Sequence, residues 1–169
     1  MQPIRLDGRS LSRAQVAEIA HGAPVSLDPK QMQAVQRAAD FLADQVKKQE
    51  PIYGVSTGFG SNADKLLGSR RVRHGMPGAA ETDETVLEEL QRNLIVTHAV
   101  CVGEPFAPDV VRAMLAIRIN TLMMGHSGIR PQVLESLAAL LNAGVVPVVP
   151  QKGSVGASGD LAPLSHLAI

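Results

Sequence analysis

Residues 151–160 read QKGSVGASGD, and this stretch guides the interpretation of the whole chain. Glycine recurs at every third position, which predicts a tight turn and differs from the GxGxxG spacing of dinucleotide-binding loops. No Gly-Lys-Ser/Thr ends the stretch, so it is not a Walker A loop, and nucleotide binding is not expected. A GxSxG nucleophile elbow would need glycine where Asp160 stands. The remaining non-catalytic interpretation is a glycine-rich anion-binding turn before a helix.

The tripeptide Ala157-Ser158-Gly159 permits a different chemistry. In a tight turn the amide nitrogen of Gly159 can approach the carbonyl carbon of Ala157, because neither residue carries a bulky side chain. Loss of water closes a five-membered ring, and loss of water from Ser158 leaves an exocyclic methylene. Such a group is an electrophile that ordinary side chains do not supply. Asp160 is predicted to orient the serine hydroxyl or to assist proton transfer during closure.

Composition excludes several classes of protein. The chain has 169 residues, 45% of them hydrophobic and 19% charged, which fits a folded protein with a core. Sixteen basic residues balance sixteen acidic ones, so no nucleic-acid partner is expected. Cys101 is the single cysteine, and the five histidines lack metal-ligand spacing, so we expect no disulfide and no metal. No apolar run could span a membrane, and a cytoplasmic location is expected.

The fold class is predicted to be mainly α, with short strands and long loops. Residues 26–29 mark a helix start, with a capping oxygen and Pro29 in the first turn, and apolar residues follow at helical spacing over 31–48. Ser10 or Ser12 is expected to cap a shorter first helix that stops near residues 21–22. Further helices are predicted over 84–100, 109–124 and 131–142 and from Leu161 onward, with a loop over 53–60 and an extended segment over 145–150.

The final apolar helix has no stop signal before Ile169. We therefore expect the chain to be the N-terminal part of a longer protein, an incomplete domain over residues 1–169 with no complete second domain.

Four segments, in order, resemble the aromatic amino acid ammonia-lyases, and histidine ammonia-lyase most closely. They are YGVSTGFG at 53–60, LQRNL at 90–94 with THA at 97–99 and VGEP at 102–105, GHSGIRP at 125–131, and LNAG at 141–144 leading to GSVGASGDLAPL at 153–164. The similarity covers most of the chain from Pro51 onward, and the last segment is the most specific.

The resemblance implies a prosthetic group, 4-methylidene-imidazol-5-one (MIO), formed from Ala157, Ser158 and Gly159. The substrate amine adds to its methylene, and ammonia leaves after a base removes a proton from the β-carbon. Tyr53 matches the catalytic base, on a loop of about residues 51–83. The MIO loop covers about residues 150–163. Asp160 and Gly60 match residues that support the group.

The same resemblance implies a substrate. Thr97 and His98 match the pair that reads the substrate side chain, and a hydroxyl residue followed by histidine is typical of histidine ammonia-lyases. An imidazole can hydrogen-bond an imidazole substrate through either nitrogen. The expected reaction is non-oxidative elimination of ammonia from L-histidine to give trans-urocanate, a step of histidine catabolism. Cys101 replaces a small residue, which is interpreted as a packing change.

The family fold is the fumarase/aspartase-like helical fold, in a homotetramer whose active sites draw on several subunits. Two alternatives remain open. One is a phenylalanine or tyrosine ammonia-lyase, or a 2,3-aminomutase, of the same family. The other is a truncated, non-catalytic assembly module that docks through its apolar C-terminal face; the intact Tyr53 and Ala157-Ser158-Gly159 weigh against it.

Overall fold

A computed structural model describes residues 2–58, 86–156 and 159–169, without the side chains of Val86 and Leu87. The described part is mainly helical, as predicted. Its elements in chain order are β1 (Ile4–Leu6), α1 (Arg13–Ala20), β2 (Val25–Leu27), α2 (Pro29–Lys47), α3 (Val86–His98), β3 (Val102–Pro105), α4 (Pro108–Leu122), α5 (Pro131–Asn142), β4 (Pro150–Lys152) and α6 (Leu161–Ala168).

Local capping explains where the first two helices begin. Ser12 is the N-cap of α1, and its hydroxyl accepts from the backbone N–H of Gln15 while the Gln15 side chain accepts from the N–H of Ser12. Asp28 caps α2 by accepting from the N–H of Gln31, and Pro29 follows at the first helical position. Of the two serines predicted as caps, the structure selects Ser12.

Two small sheets hold the helices in place. β1 and β2 pair in parallel, with Ile4 opposite Val25 and Leu6 opposite Leu27, and α1 is the crossover between them. β3 and β4 pair antiparallel with an irregular register, Val102 opposite Lys152. The sequence prediction did not include β1, β2 or β3. The extended segment predicted over 145–150 contributes only Pro150 to a strand.

The core lies between the first sheet and helices α1, α2, α4 and α5. It is almost entirely aliphatic, as expected from a chain that is only 2% aromatic. Its buried members are Ile4, Leu6, Ile19, Ala23, Val25, Val35, Leu115, Ala116, Ile119, Leu122, Met123, Leu134, Ala138 and Leu141.

A buried arginine joins three of the core helices. Arg112 of α4 donates from Nε to the carbonyl of Ile19 (3.0 Å) and from one terminal nitrogen to the carbonyl of Leu141 (2.8 Å). Those carbonyls belong to the last turns of α1 and α5, where the helix dipole favours a cation. The guanidinium therefore ties the C-terminal ends of both helices to α4.

Helix α3 packs against α6 and therefore contacts the C-terminal part of the chain. The helix predicted over 84–100 is confirmed from Val86 to His98, and residues 84 and 85 lie outside the described residues. The helices predicted over 109–124 and 131–142 are confirmed to within two residues at each end. α6 begins at Leu161, as expected.

Candidate active site

Gly153, the first residue after β4 and the base of the following turn, is packed tightly against Cys101. A Cβ added to Gly153 would lie 2.6 Å from the Sγ of Cys101 and 2.8 Å from the Cα of that residue. Gly153 also has a φ of 154°, which L-residues with a side chain rarely adopt. Glycine is therefore required here for a close backbone approach between the start of the loop and Cys101. Cys101 is buried, which agrees with the packing role expected for it.

The following turn has an open flank. Gly156 and Gly159 have φ values of 69° and 73°, and a Cβ at either position would meet no atom of the described residues within 4 Å. Asp160, a non-glycine residue, also adopts the left-handed conformation, with φ 59° and ψ 47°. The turn therefore holds positive φ on both sides of residues 157 and 158, which lie outside the described residues.

The hydroxyl of Ser154 links the two sides of this turn. It donates to Oδ1 of Asp160 and accepts from the backbone N–H of Gly156 at 3.2 Å. Asp160 stands at the N-cap of α6 but makes no capping bond with its side chain. Its carboxylate is instead engaged by Ser154. The predicted contact of Asp160 with the Ser158 hydroxyl falls on a residue outside the described part and stays a prediction.

A cavity of about 390 Å³ opens beside the turn. One side is the turn itself, through Ser154, Gly159 and Asp160. Most of the remaining wall is apolar, with Arg118, Thr121 and Gln151 as its other polar residues; the rest of the lining is Cys101, Phe106, Met114, Ile117, Pro150, Pro163 and Leu164. The space is large enough for part of a small ligand.

Tyr53 stands on a compact turn whose backbone is held by two buried hydroxyls. The Ser56 hydroxyl accepts from the N–H of Ile52 (2.8 Å) and donates to the carbonyl of Glu50 (2.5 Å). The Thr57 hydroxyl accepts from the N–H of Gly54 at 3.3 Å. The Tyr53 side chain is 65% exposed on this turn. The loop predicted from residue 53 is confirmed through residue 58.

Thr97 and His98 end helix α3, and both side chains bond back to it. The Thr97 hydroxyl donates to the carbonyl of Asn93 at 2.6 Å. Nδ1 of His98 lies 2.7 Å from the carbonyl oxygen of Leu94, so this nitrogen carries the proton in that contact. In the neutral ring the lone pair then lies on Nε2, which is a hydrogen-bond acceptor.

The structure brings together some of the predicted site residues. Gly159 and Asp160 share the cavity wall, whereas Tyr53, Thr97 and His98 are not among its lining residues. α3 packs on α6, which begins directly after Asp160. Gly60, Ala157 and Ser158 lie outside the described residues.

The aromatic amino acid lyase family model matches residues 11–169. The chain belongs to the aromatic amino acid lyase family. The matched region includes every described helix and strand except β1, and it contains both the Tyr53 turn and the segment around Asp160.

Similarity to individual members of the family is high across the chain. The chain is 46% identical over 170 residues to histidine ammonia-lyase of Symbiobacterium thermophilum. This alignment covers all of the chain and 30% of that protein. Among solved structures, histidine ammonia-lyase from Trypanosoma cruzi has a TM-score of 0.82 at 37% identity, over 99% of this chain and 29% of that one. Tyrosine aminomutase from Streptomyces globisporus has a TM-score of 0.81 at 35% identity, over 99% and 28%.

These relatives establish the fold of the chain and show how much of their own length it covers. The likeness to solved members of the family confirms the predicted helical ammonia-lyase fold. The chain spans about 30% of the length of the curated relatives it matches.

Two residues of this lyase segment were missed by sequence reasoning. Ser154 bonds to both sides of the turn, and His166 of α6 accepts at Nε2 from the backbone N–H of Cys101 at 3.0 Å. A serine two positions before a glycine in a glycine-rich turn is a recognisable signal for a side chain that bonds its own backbone. No local signal points to His166, because its partner is 65 residues away in the sequence.

Across residues 2–58, 86–156 and 159–169, no group of three or more His, Cys, Asp or Glu side chains is placed to hold a metal ion. Within the same ranges, every helix is too short or too polar to cross a bilayer.

Proposed function

We propose that the chain is the N-terminal, MIO-bearing segment of a cytoplasmic histidine ammonia-lyase that converts L-histidine to trans-urocanate and ammonia. The support is 46% identity to a histidine ammonia-lyase over the whole chain, together with the Thr97-His98 pair. Because the chain spans 30% of that relative, the activity is proposed for the whole protein. By the same resemblance, the whole protein is proposed to be a homotetramer.

The observation that supports this function most directly is the turn around Ala157-Ser158-Gly159. Its two sides are joined through Ser154, and positive φ is held at Gly156, Gly159 and Asp160. Those conformations fit a backbone compressed for ring closure, and the open flank fits a product that must stay reachable by substrate. When formed, the group supplies an electrophilic methylene that takes up the substrate amine.

Tyr53 is proposed as the base that removes the β-proton. The backbone under Tyr53 is fixed by the buried Ser56 and Thr57 hydroxyls, which present the side chain at a defined point while leaving it exposed. Gly60, near the end of the same sequence segment, is proposed to support the prosthetic group.

His98 is proposed to read the substrate imidazole. Its Nδ1 proton is committed to the carbonyl of Leu94, so Nε2 is left to accept a hydrogen bond from a ring N–H of the substrate. A phenyl ring offers no hydrogen-bond donor to that acceptor, whereas a phenol can donate through its hydroxyl. This preference favours histidine over phenylalanine as substrate, and Thr97 holds the end of the helix on which His98 stands.

The runner-up is a phenylalanine or tyrosine ammonia-lyase, or a 2,3-aminomutase. It is supported by the likeness to tyrosine aminomutase from Streptomyces globisporus. The two reactions part after amine uptake: a lyase releases free ammonia and an unsaturated acid, and an aminomutase returns the amine to the β-carbon.

The deciding experiment incubates the whole protein separately with L-histidine, L-phenylalanine and L-tyrosine. We expect ammonia and trans-urocanate in equal amounts from histidine and far less product from the other two. Ser158→Ala is the matched control, because it removes the hydroxyl whose loss as water would form the methylene. A β-amino acid product would assign an aminomutase. If no substrate reacts and the intact mass shows no loss of two waters, the result would favour the non-catalytic assembly module.

A further inference from the structure

The Ser154 side chain joins the two sides of the segment that carries the proposed prosthetic group. Its hydroxyl oxygen accepts from Gly156 N–H at 3.2 Å and donates its single proton to Oδ1 of Asp160. Gly156 directly precedes the Ala157-Ser158-Gly159 tripeptide, and Asp160 directly follows it. One atom therefore constrains the separation of the two ends of the tripeptide.

We propose that Ser154 is a positioning residue for ring closure, acting through Asp160 and Gly156. This inference rests on the proposed function. Ring closure needs the amide nitrogen of residue 159 brought onto the carbonyl carbon of residue 157, and the barrier falls when the chain ends are already held together. Ser154 supplies that restraint from outside the tripeptide, so it takes no part in bond formation.

The left-handed backbone conformation of Asp160 is what the hydrogen bond from Ser154 must maintain. A non-glycine residue is disfavoured at φ 59° and ψ 47° and persists there only when its surroundings fix it. The Asp160 side chain makes no capping bond to α6, whereas its backbone carbonyl accepts from Leu164 N–H at 3.3 Å. The hydrogen bond from Ser154 is thus the described side-chain contact that fixes the carboxylate, and it is charge-assisted.

The base of the turn gives Ser154 a fixed starting point. Gly153, the preceding residue, is pressed against Cys101, and Cys101 is bonded through its N–H to His166. Ser154 therefore reaches across the turn from a backbone already anchored to β3 and α6. A threonine at 154 would keep the hydroxyl, and the exposed position leaves room for its methyl group.

The test measures ring formation by intact mass under denaturing conditions, because each completed ring lowers the mass of the chain by two waters. The whole protein is sampled at fixed times after synthesis. We expect Ser154→Ala to slow the loss of water roughly tenfold, the size of effect expected from one charge-assisted hydrogen bond. Ser154→Thr should restore the wild-type rate. Ser136→Ala, which removes a serine-to-carbonyl bond on α5, is the matched control and should form the ring normally.

A double-mutant cycle tests the route through Asp160. In an Asp160→Asn background, Ser154→Ala should add little further slowing, since both changes weaken the same contact. Equal slowing by Ser154→Ala and Ser154→Thr, or fully additive slowing with Asp160→Asn, would overturn the inference. A Ser154→Ala protein that forms the ring at the wild-type rate would overturn it while leaving the proposed function intact. A wild-type protein with no water loss would overturn both.

Discussion

The carboxamide of Asn142 pairs with both backbone polar atoms of Val25, accepting from its N–H at 2.8 Å and donating to its carbonyl at 3.0 Å. The side chain at the end of α5 thus satisfies the free edge of β2 much as a further strand would. This pairing also fixes which end of the amide is oxygen. The two residues are 117 positions apart, so the contact fastens the N-terminal sheet to the second half of the chain.

We predict that Asn142→Asp destabilises the protein by about 1–2 kcal/mol, because a carboxylate cannot donate to the Val25 carbonyl and faces it instead. Asn120→Asp is the matched control, since in the described part of the chain Asn120 accepts from the N–H of Gly8. Urea unfolding at pH 7 measures the difference. Equal destabilisation by the two substitutions would contradict the two-point pairing.

Removing the buried guanidinium of Arg112 should cost about 2–4 kcal/mol, through the loss of its two hydrogen bonds to the carbonyls of Ile19 and Leu141. We expect Arg112→Met to lower the unfolding midpoint and to speed amide exchange in the last turns of α1 and α5. Arg37→Met on the exposed face of α2 should stay within about 0.5 kcal/mol. A stable Arg112→Met protein with unchanged exchange would show that the guanidinium is not a tie between helices.

Gly153→Ala should disrupt the base of the turn, because the new Cβ would lie 2.6 Å from Cys101 Sγ. Gly22→Ala separates the clash from backbone strain: Gly22 also has a positive φ, 109°, but its Cβ would meet nothing within 4 Å. We expect Gly153→Ala to lose at least about 2 kcal/mol more than Gly22→Ala. Thermal unfolding of the two variants decides the point, and equal losses would mean that packing against Cys101 is slack.

The pKa of Asp7 is lowered to about 2 by hydrogen bonds from the backbone N–H groups of Ser10 and Arg9 and from the Ser10 hydroxyl. A depressed carboxyl pKa stabilises the folded state above the unfolded value of 3.8, and this contribution disappears as the pH falls towards 2.

Asp7→Asn should therefore lower stability at pH 7 by a modest amount, since the turn is solvent-screened. Wild type and variant should converge between pH 4 and pH 2. Urea unfolding of both proteins across this range measures the convergence. A stability difference that stays constant down to pH 2 would contradict the assignment to Asp7 ionisation. Asp40→Asn, on the exposed face of α2, serves as the control.

Local signals predicted the helices of this fold well. Asp28 with Pro29 and the Ser12 capping box are decided within one turn of the chain, so sequence spacing is enough to find them. Strands β1, β2 and β3 are only three or four residues long and owe their existence to distant partners. Ser26 and Leu27 were assigned to a helix start, but pairing with Arg5 and Leu6 draws them into β2.

The candidate site also has features that follow from sequence spacing and features that depend on distant contacts. Motif similarity names Tyr53, His98 and the tripeptide as site residues from their spacing along the chain, and this assignment stays a prediction. The engagement of Asp160 by Ser154 depends on how the turn folds back, and the acceptor role of His166 depends on α6 reaching Cys101. The burial of Arg112 was equally invisible, since the partners that the structure describes for it are backbone carbonyls, which every residue possesses.

The contacts of Cys101 determine what a transplant of this turn would require. A ten-residue insert taken from 151–160 alone would arrive without the cysteine that presses on Gly153 and without the histidine that holds the cysteine. The smallest portable unit runs over two separate pieces, Cys101 with β3 and β4 with α6. Engineering the proposed electrophile into a foreign scaffold would therefore require copying two segments of the chain, with the loop added last.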